Sequence, residues 1–423
     1  MNTLSVGKLI LSIVTVAAFA GALRADVPSA KEFQANWPRF RGPEGNGFTR
    51  QKGFPLSFNV QSGENVAWSV PVPMAGYSSP VVWGNRVFLS GGDEKKCEVM
   101  AFDVATGKLL WESAMPKTEG SPAERPKVPD ECGMAAGTVA TDGRRVYAMF
   151  ADGDIAAFDL DGKVLWAKYL GFPKNEYGFA TSLLTWQDRV IVQFDQGDPE
   201  DKVSKLLALD SATGKVAWEK PRPVGASWAT PIVFDAAGKT QVVTCAVPFV
   251  ISYAASDGTE LWRAEGLDGE VTPSPIFANG TVFAVSPANK LQTIRPDGEG
   301  DVTDSHLGWV AEDGIPAVTS PVSDGELVFL VDAGGMMTCY DAKTGKKQWE
   351  HDLGDECNAS PSIAGGKLYV ISAKGVMTVA GTLRQYGEVS QSSFGEKVLA
   401  TPAFAQGRIF VRGVTHLFCL GGK

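Results

Sequence analysis

The sequence predicts an all-β chain folded as an eight-bladed β-propeller of four-stranded antiparallel blades. Three observations predict it: a phrase that ends in tryptophan, a second phrase that opens on Ser/Thr-Pro, and the spacing between copies. The first runs Ala101-Phe-Asp-Val-Ala-Thr-Gly107-Lys-Leu-Leu-Trp111 and returns from Ala208 through Gly214 to Trp218 and from Cys339 through Gly345 to Trp349. Ser252, Gly258 and Trp262 keep the frame, and Ala157 to Trp166 is one residue shorter, with its turn at Asp161-Gly162. The second phrase appears as Ser79-Pro80, Thr230-Pro231, Ser274-Pro275, Ser320-Pro321, Ser360-Pro361 and Thr401-Pro402, with Thr138-Val139 and Thr181-Ser182 in the two remaining places. Successive starts lie about 40 to about 60 residues apart, the period of a propeller blade and longer than a stacked solenoid unit.

Each unit accounts for its strands in order. The Ser/Thr-Pro pair leads into apolar residues that read as a buried inner strand. A glycine turn then reverses the chain into a β-branched or aromatic strand, as in Val87-Phe88-Leu89, Val328-Phe329-Leu330 and Ile409-Phe410-Val411. A third strand ends at Asp-x-x-Thr-Gly or Asp-Gly, where the carboxylate accepts turn amides and Gly107, Gly214, Gly258 or Gly345 takes a positive φ. The outer strand carries Trp111, Trp166, Trp218, Trp262, Trp309 or Trp349. Its ring is expected to fill the wedge between blades, burying up to about 250 Å². The residue at the first position then lies beneath the ring and must be small, so Cys339 and Cys419 read as structural thiols. Only the blade around Gln385 to Ser390 lacks a tryptophan, and it is expected to pack more loosely.

The eighth unit stops after Cys419-Leu420 without an outer strand, while Val66-Ala67-Trp68 is an outer strand with no unit in front of it. Pairing the two closes the ring and removes an exposed edge. The expected organisation is a signal peptide over 1–25, a leader or clasp over 26–63 and a single propeller domain over 64–423. Lys8, the apolar run from Leu9 to Ala20 and the small residues after it read as a secretory signal cleaved after Ala22 or Ala25. No cysteine follows for acylation, so the chain is not expected to be a lipoprotein. No later stretch reaches the roughly 20 apolar residues of a spanning helix. The expected location is the periplasm or the exterior, with no integral membrane segment in the mature chain.

Glycine (47 residues) and proline (25) suit many short strands and tight turns. The net charge of −9 offers no basic face, which argues against nucleic acid as a partner. Six cysteines match no disulfide framework or metal spacing, and His306, His351 and His416 fall in different blades. No P-loop, G-x-S-x-G or dinucleotide fingerprint is present, so no catalytic residue is assigned.

With the repeat in hand, the chain resembles the secreted quinoprotein-type propellers, the PQQ-binding-like (quinoprotein alcohol dehydrogenase-like) repeat proteins, from about residue 64 to the end. The opening Asn36-Trp-Pro-Arg-Phe-Arg-Gly-Pro-Glu-Gly-Asn-Gly47 resembles the leader of secreted members from planctomycete-like bacteria. The repeat pattern is also similar to the propeller subunit of the outer-membrane barrel-assembly machinery, from which the chain departs in lacking a lipid-attachment cysteine. The resemblance implies PQQ and calcium as cofactors of the enzymatic branch. The adjacent cysteine pair of that branch is absent, and no carboxylate-and-amide set for calcium is matched.

Glu131, Glu176, Glu270, Glu356 and Glu396 precede inner strands and are expected near one channel mouth. There they read either as ordinary solvated loop acids or as weak candidates to hold calcium or a basic partner segment. Asp130-Glu131-Cys132 and Asp355-Glu356-Cys357 repeat one tripeptide, by duplication or as paired ligands. The connection from Ser113 to Gly137 is the longest between blades and reads as a partner-binding loop or a variable insertion. Trp37, Phe40 and Arg41 read as a clasp on the propeller or as a recognition surface. The expected function is a non-enzymatic scaffold that binds a protein or small ligand at one face or at the channel mouth. The alternatives are a PQQ-dependent alcohol or sugar oxidoreductase and an outer-membrane assembly factor.

Overall fold

A computed structural model describes residues 27–422, so the signal-peptide reading of 1–25 lies outside the described residues. Eight antiparallel sheets follow one another along the chain. In the first, the strands Val81–Trp83, Arg86–Gly92, Cys97–Asp103 and Leu109–Ala114 pair in sequence order, and the pattern repeats through the others. Inner strands are short and buried, because they face both the channel and the neighbouring blades. The innermost strand Val81–Trp83 touches both Ala140–Thr141 and Ala403–Ala405, which places the first blade beside the second and the last.

The last blade is composite. Strand Val66–Pro71 pairs antiparallel with His416–Leu420, with Trp68 opposite Cys419 and Ser69 opposite Phe418. The two chain ends therefore share one sheet, and four strands are completed by residues from both.

Register explains the eleven-residue phrase. Ala101 lies directly opposite Trp111, Ala157 opposite Trp166, Ala208 opposite Trp218, Ser252 opposite Trp262 and Cys339 opposite Trp349. A larger side chain there would collide with the indole across the ladder. Each ring also docks on the turn of the following blade. Trp68 Nε1 donates to the Val104 carbonyl (3.0 Å), Trp111 to Leu160 (2.9 Å), Trp166 to Ser211 (3.0 Å) and Trp309 to Ala342 (3.0 Å). A Cβ at Gly107 would fall 2.7 Å from Trp68, one at Gly214 2.6 Å from Trp166, and one at Gly258 or Gly345 2.6 Å from Trp218 or Trp309. These turn glycines are needed for the approach of the neighbouring blade as well as for their positive φ.

Two blades depart from the rule. Trp262 has no Thr-Gly turn to dock on. The strand Gly300–Asp301 instead runs parallel beside Glu260–Glu265, and Trp262 Nε1 donates to Gln241 Oε1 at 2.8 Å. Trp262 is consequently fully buried. The seventh blade, whose outer strand Glu388–Ser393 lacks tryptophan, is covered by the leader and is not loosely packed. Phe58 and Phe394 bury their rings 4.5 Å apart, the Phe58 amide donates to Ser392 Oγ, and Ser390 Oγ donates to the Leu56 carbonyl. The looseness expected from sequence is corrected by a segment far away in the chain.

Candidate functional site: the axial channel and its mouth

The Ser/Thr of the second phrase forms a hydrogen-bonded belt around the channel. The Ser79 amide donates to Thr138 Oγ1, Thr138 to Ser182, Ser182 to Thr230, Thr230 to Ser274, Ser274 to Ser320, Ser320 to Ser360, Ser360 to Thr401 and Thr401 back to Ser79, at 2.9–3.1 Å. Every link joins one blade to the next, so the motif needs a hydroxyl acceptor at this position. In the third blade that residue is Ser182, not Thr181. All eight hydroxyl residues line a cavity of about 140 Å³.

The leader covers one end of the channel. Trp37 pairs with Val82, the Pro38 carbonyl accepts from the Thr141 amide, and Arg39 Nη1 donates to the Thr185 carbonyl (2.9 Å). Arg41 Nη2 donates to the Pro321 and Asn46 carbonyls, and Phe48–Thr49 adds a parallel strand to Ser362–Ala364. Trp37 and Arg41 are buried, and Phe40 lines the cavity. A Cβ at Gly42 would fall 2.8 Å from the Trp37 ring, so this glycine-rich stretch is what lets the leader fold tightly over the opening.

The other end is open, and its lining differs from expectation. Tyr77, Ala136, Trp228, Thr272, Asn358 and Leu399 are among the residues there, and no charged side chain lines the cavity. Glu131, Glu176, Glu270 and Glu356 are exposed and do not line the cavity. Glu396 turns to the last blade, where its carboxylate accepts from the amides of Thr415 and His416 (3.0 Å each) and from His416 Nδ1 (3.0 Å). Burial raises its pKa, but these hydrogen bonds outweigh that and hold it below the ordinary glutamate value. Among the described residues no three His, Cys, Asp or Glu side chains come together as a metal-holding group. Glu176 and Glu270 both act on Tyr177, while Glu396 is engaged by the last blade. The nearby charge of Glu270 raises the Tyr177 hydroxyl, whose ring meets Trp228 edge-on at 5.1 Å.

The long connection is pinned to the second blade. Arg125 pairs with Asp152, Lys117 reaches both Asp152 and Asp154, and Ser121 Oγ donates to Asp154 Oδ1 at 2.6 Å. Burial raises the Asp154 carboxyl, the expected response of an acid withdrawn from water. The loop then borders a pocket of about 340 Å³, with Tyr77, Asp93, Glu94, Val128, Asp130 and Met134 in its walls. Sequence reading singled out the loop but missed its anchor, because Asp152 and Asp154 sit in an unremarkable hairpin turn.

A second buried polar cluster joins the third and fourth blades. Arg222 Nε and Nη2 donate to the two oxygens of Asp195 (2.6 and 3.1 Å), and Arg222 Nη1 donates to Thr244 Oγ1 and Tyr253 Oη. Ser227 and Gln193 complete the carboxylate's partners. Nothing in the repeat pattern announced this pair.

Calcium needs carboxylate or carbonyl oxygens directed at one point, and a tricarboxylate quinone needs a roomy site. The cavity is smaller than the roughly 300–1,000 Å³ typical of small-molecule pockets and has no acidic side chain in its wall. The residues present at the channel do not fit PQQ with calcium.

Comparison with known proteins bears on the family. A family model described as outer membrane protein assembly factor BamB matches residues 44–197, 202–319 and 301–382. No curated protein sequence matches the chain. Among solved structures, BamB from Moraxella catarrhalis is similar at 16% identity and TM-score 0.63, covering 85% of this chain and 97% of that one. A europium-containing methanol dehydrogenase is similar at 12% identity and TM-score 0.69, covering 90% of each chain. Quinohemoprotein alcohol dehydrogenase from Comamonas testosteroni is similar at 14% identity and TM-score 0.69, covering 93% of this chain and 82% of that one. At such identities the likeness is one of fold.

Proposed function

The chain belongs to the family of the outer membrane protein assembly factor BamB, and from that membership we propose that it is a non-enzymatic scaffold that binds a partner protein on the open face of its propeller. The observation that carries this reading is the asymmetry of the two ends. One is closed by the chain's own leader, and the other presents the pinned loop and the pocket beside Tyr77 and Asp93. Rigid loops on a closed ring suit recognition, since little conformational entropy is lost on binding. Export of the chain through its amino-terminal segment, to the periplasm or beyond, belongs to the same proposal.

The test is site-specific crosslinking in the native cell envelope. A photo-reactive residue at Glu94 or Glu131 on the open face is expected to capture a discrete partner, and one at Asp161 or Asp257 on the leader side is expected to capture none. Capture confined to the leader side would overturn the reading.

A further inference from the structure

Each belt hydroxyl accepts one backbone N–H from the preceding blade, and that uses the oxygen, not the hydrogen. For none of the eight does a protein group accept the O–H in return among the described residues, although other buried hydroxyls do find such acceptors. Ser78 Oγ, one residue away, donates to the Ser90 carbonyl at 2.9 Å. The belt side chains are nearly inaccessible, from 2% exposed at Ser274 to 7% at Thr230. Their hydrogens have only the axial cavity to turn to. A buried donor left without an acceptor costs about 1–3 kcal/mol, so whatever fills the cavity must accept hydrogen bonds.

Three buried cations lie around the axis, with the Glu44 carboxylate near Arg39. Arg39, Arg41 and Arg412 are buried guanidinium groups with no carboxylate in ion-pair contact among the described residues, in a chain whose net charge is −9. Arg41 bonds the carbonyl of Pro321, next to belt residue Ser320, and its Nε and Nη1 have no partner. Arg412 Nη1 donates to Ser78 Oγ (2.7 Å), next to belt residue Ser79, and Arg412 Nη2 donates to the Met74 carbonyl (2.9 Å). Arg39 bonds the Thr185 and Pro43 carbonyls. Burial lowers all three pKa values to about 9, which leaves each a cation at neutral pH. Arg41 and Arg412 each bond a group one residue from the belt, so their field extends into the cavity.

We propose that the axial cavity is a binding site for a small inorganic anion of the halide class, held by the belt O–H groups directly or through water and favoured by the field of Arg39, Arg41 and Arg412. An anion accepts from several hydroxyls at once and brings no hydrogens that themselves need acceptors; a cluster of water alone does bring them. The volume of about 140 Å³ holds such an ion with several waters. The apolar floor at Phe40 and the leader over it shut off the far end, so the ion exchanges through the mouth at Tyr77 and Trp228. This site is independent of the partner-binding proposal, whose crosslinks do not depend on what fills the channel.

The test uses the full mature chain crystallised with bromide in place of chloride, with anomalous scattering to locate the ion. Bromide is expected within the belt cavity. In solution, at equal ionic strength, chloride is expected to raise the thermal midpoint by roughly 2 °C over gluconate, which is too large to enter. Ser320→Ala is expected to lose that difference and Ser320→Thr, which keeps the hydroxyl, to retain it. A cavity that contains only water in the bromide crystals overturns the proposal, and so do equal midpoints of the unaltered protein in the two salts.

Discussion

The amide of Thr401 donates to the hydroxyl of Ser79 across 322 residues of sequence, at 3.1 Å. That one bond completes a belt in which the other seven links join consecutive blades. It stands beside the shared sheet in which Trp68 faces Cys419. Ring closure is thus made twice, at the channel and in the strand ladder of the last blade.

Gly214 and Gly238 separate two roles of glycine. Both have positive φ (67° and 72°), but a Cβ at Gly214 would meet Trp166 at 2.6 Å while one at Gly238 meets nothing within 4 Å. Gly238→Ala is expected to cost about 1–2 kcal/mol from backbone strain, and Gly214→Ala a further 1–3 or so from the clash. Chemical denaturation of the two variants checks the difference, and equal losses would refute the docking account.

The Arg222–Asp195 pair is buried on both sides, so removal of one partner strands a charge. Asp195→Ala is expected to destabilise by about 3–5 kcal/mol. A double replacement, Asp195→Leu with Arg222→Met, is expected to cost less than the single change. A double change that costs the sum of both single changes would show that the two charges do not compensate each other.

Acid sensitivity is expected at Glu396. Its folded pKa lies below the ordinary value of 4.5, so its contribution is fully present above that pH and is lost as pH falls through the depressed folded value. Stability measured from pH 6 downward is expected to fall less steeply below about 4.5 in Glu396→Gln than in the unaltered chain. Parallel curves would remove this carboxylate from the account.

The thiols are expected to divide sharply. Cys97, Cys245, Cys339, Cys357 and Cys419 are buried, and burial pushes each up to about 12; Cys132 is partly accessible and is pushed up to about 11. A thiol reagent is expected to modify only Cys132, and slowly, in the folded protein, and all six after denaturation. Rapid modification of a second cysteine under native conditions would contradict the burial of the docking positions.

Much of the architecture was legible because packing repeats at fixed spacing. A small residue faces tryptophan in five copies, and a Ser or Thr, six times followed by proline, marks each inner strand, so blade number followed from counting. What the pattern hid was anything that acts across blades without repeating. The leader's Phe58 replaces a missing tryptophan, Gly300–Asp301 covers Trp262, and Arg222 reaches Asp195. The belt itself was present in the motif as a serine or threonine, but one strand's sequence does not show that its hydroxyl serves the neighbour's amide. The glutamates could be placed near a mouth from sequence, but their distance from the channel wall could not. They lie four to seven residues before the belt hydroxyls, far enough along the chain for their side chains to stay out of the cavity wall.

Amide hydrogen exchange, resolved at Ser79, Thr138, Ser182, Thr230, Ser274, Ser320, Ser360 and Thr401, tests the closed belt most directly. These eight amides are expected to exchange as one slow class that opens only with global unfolding, Thr401 included. Fast exchange at Thr401 while the other seven stay protected would mean that the ring is open between its last blade and its first.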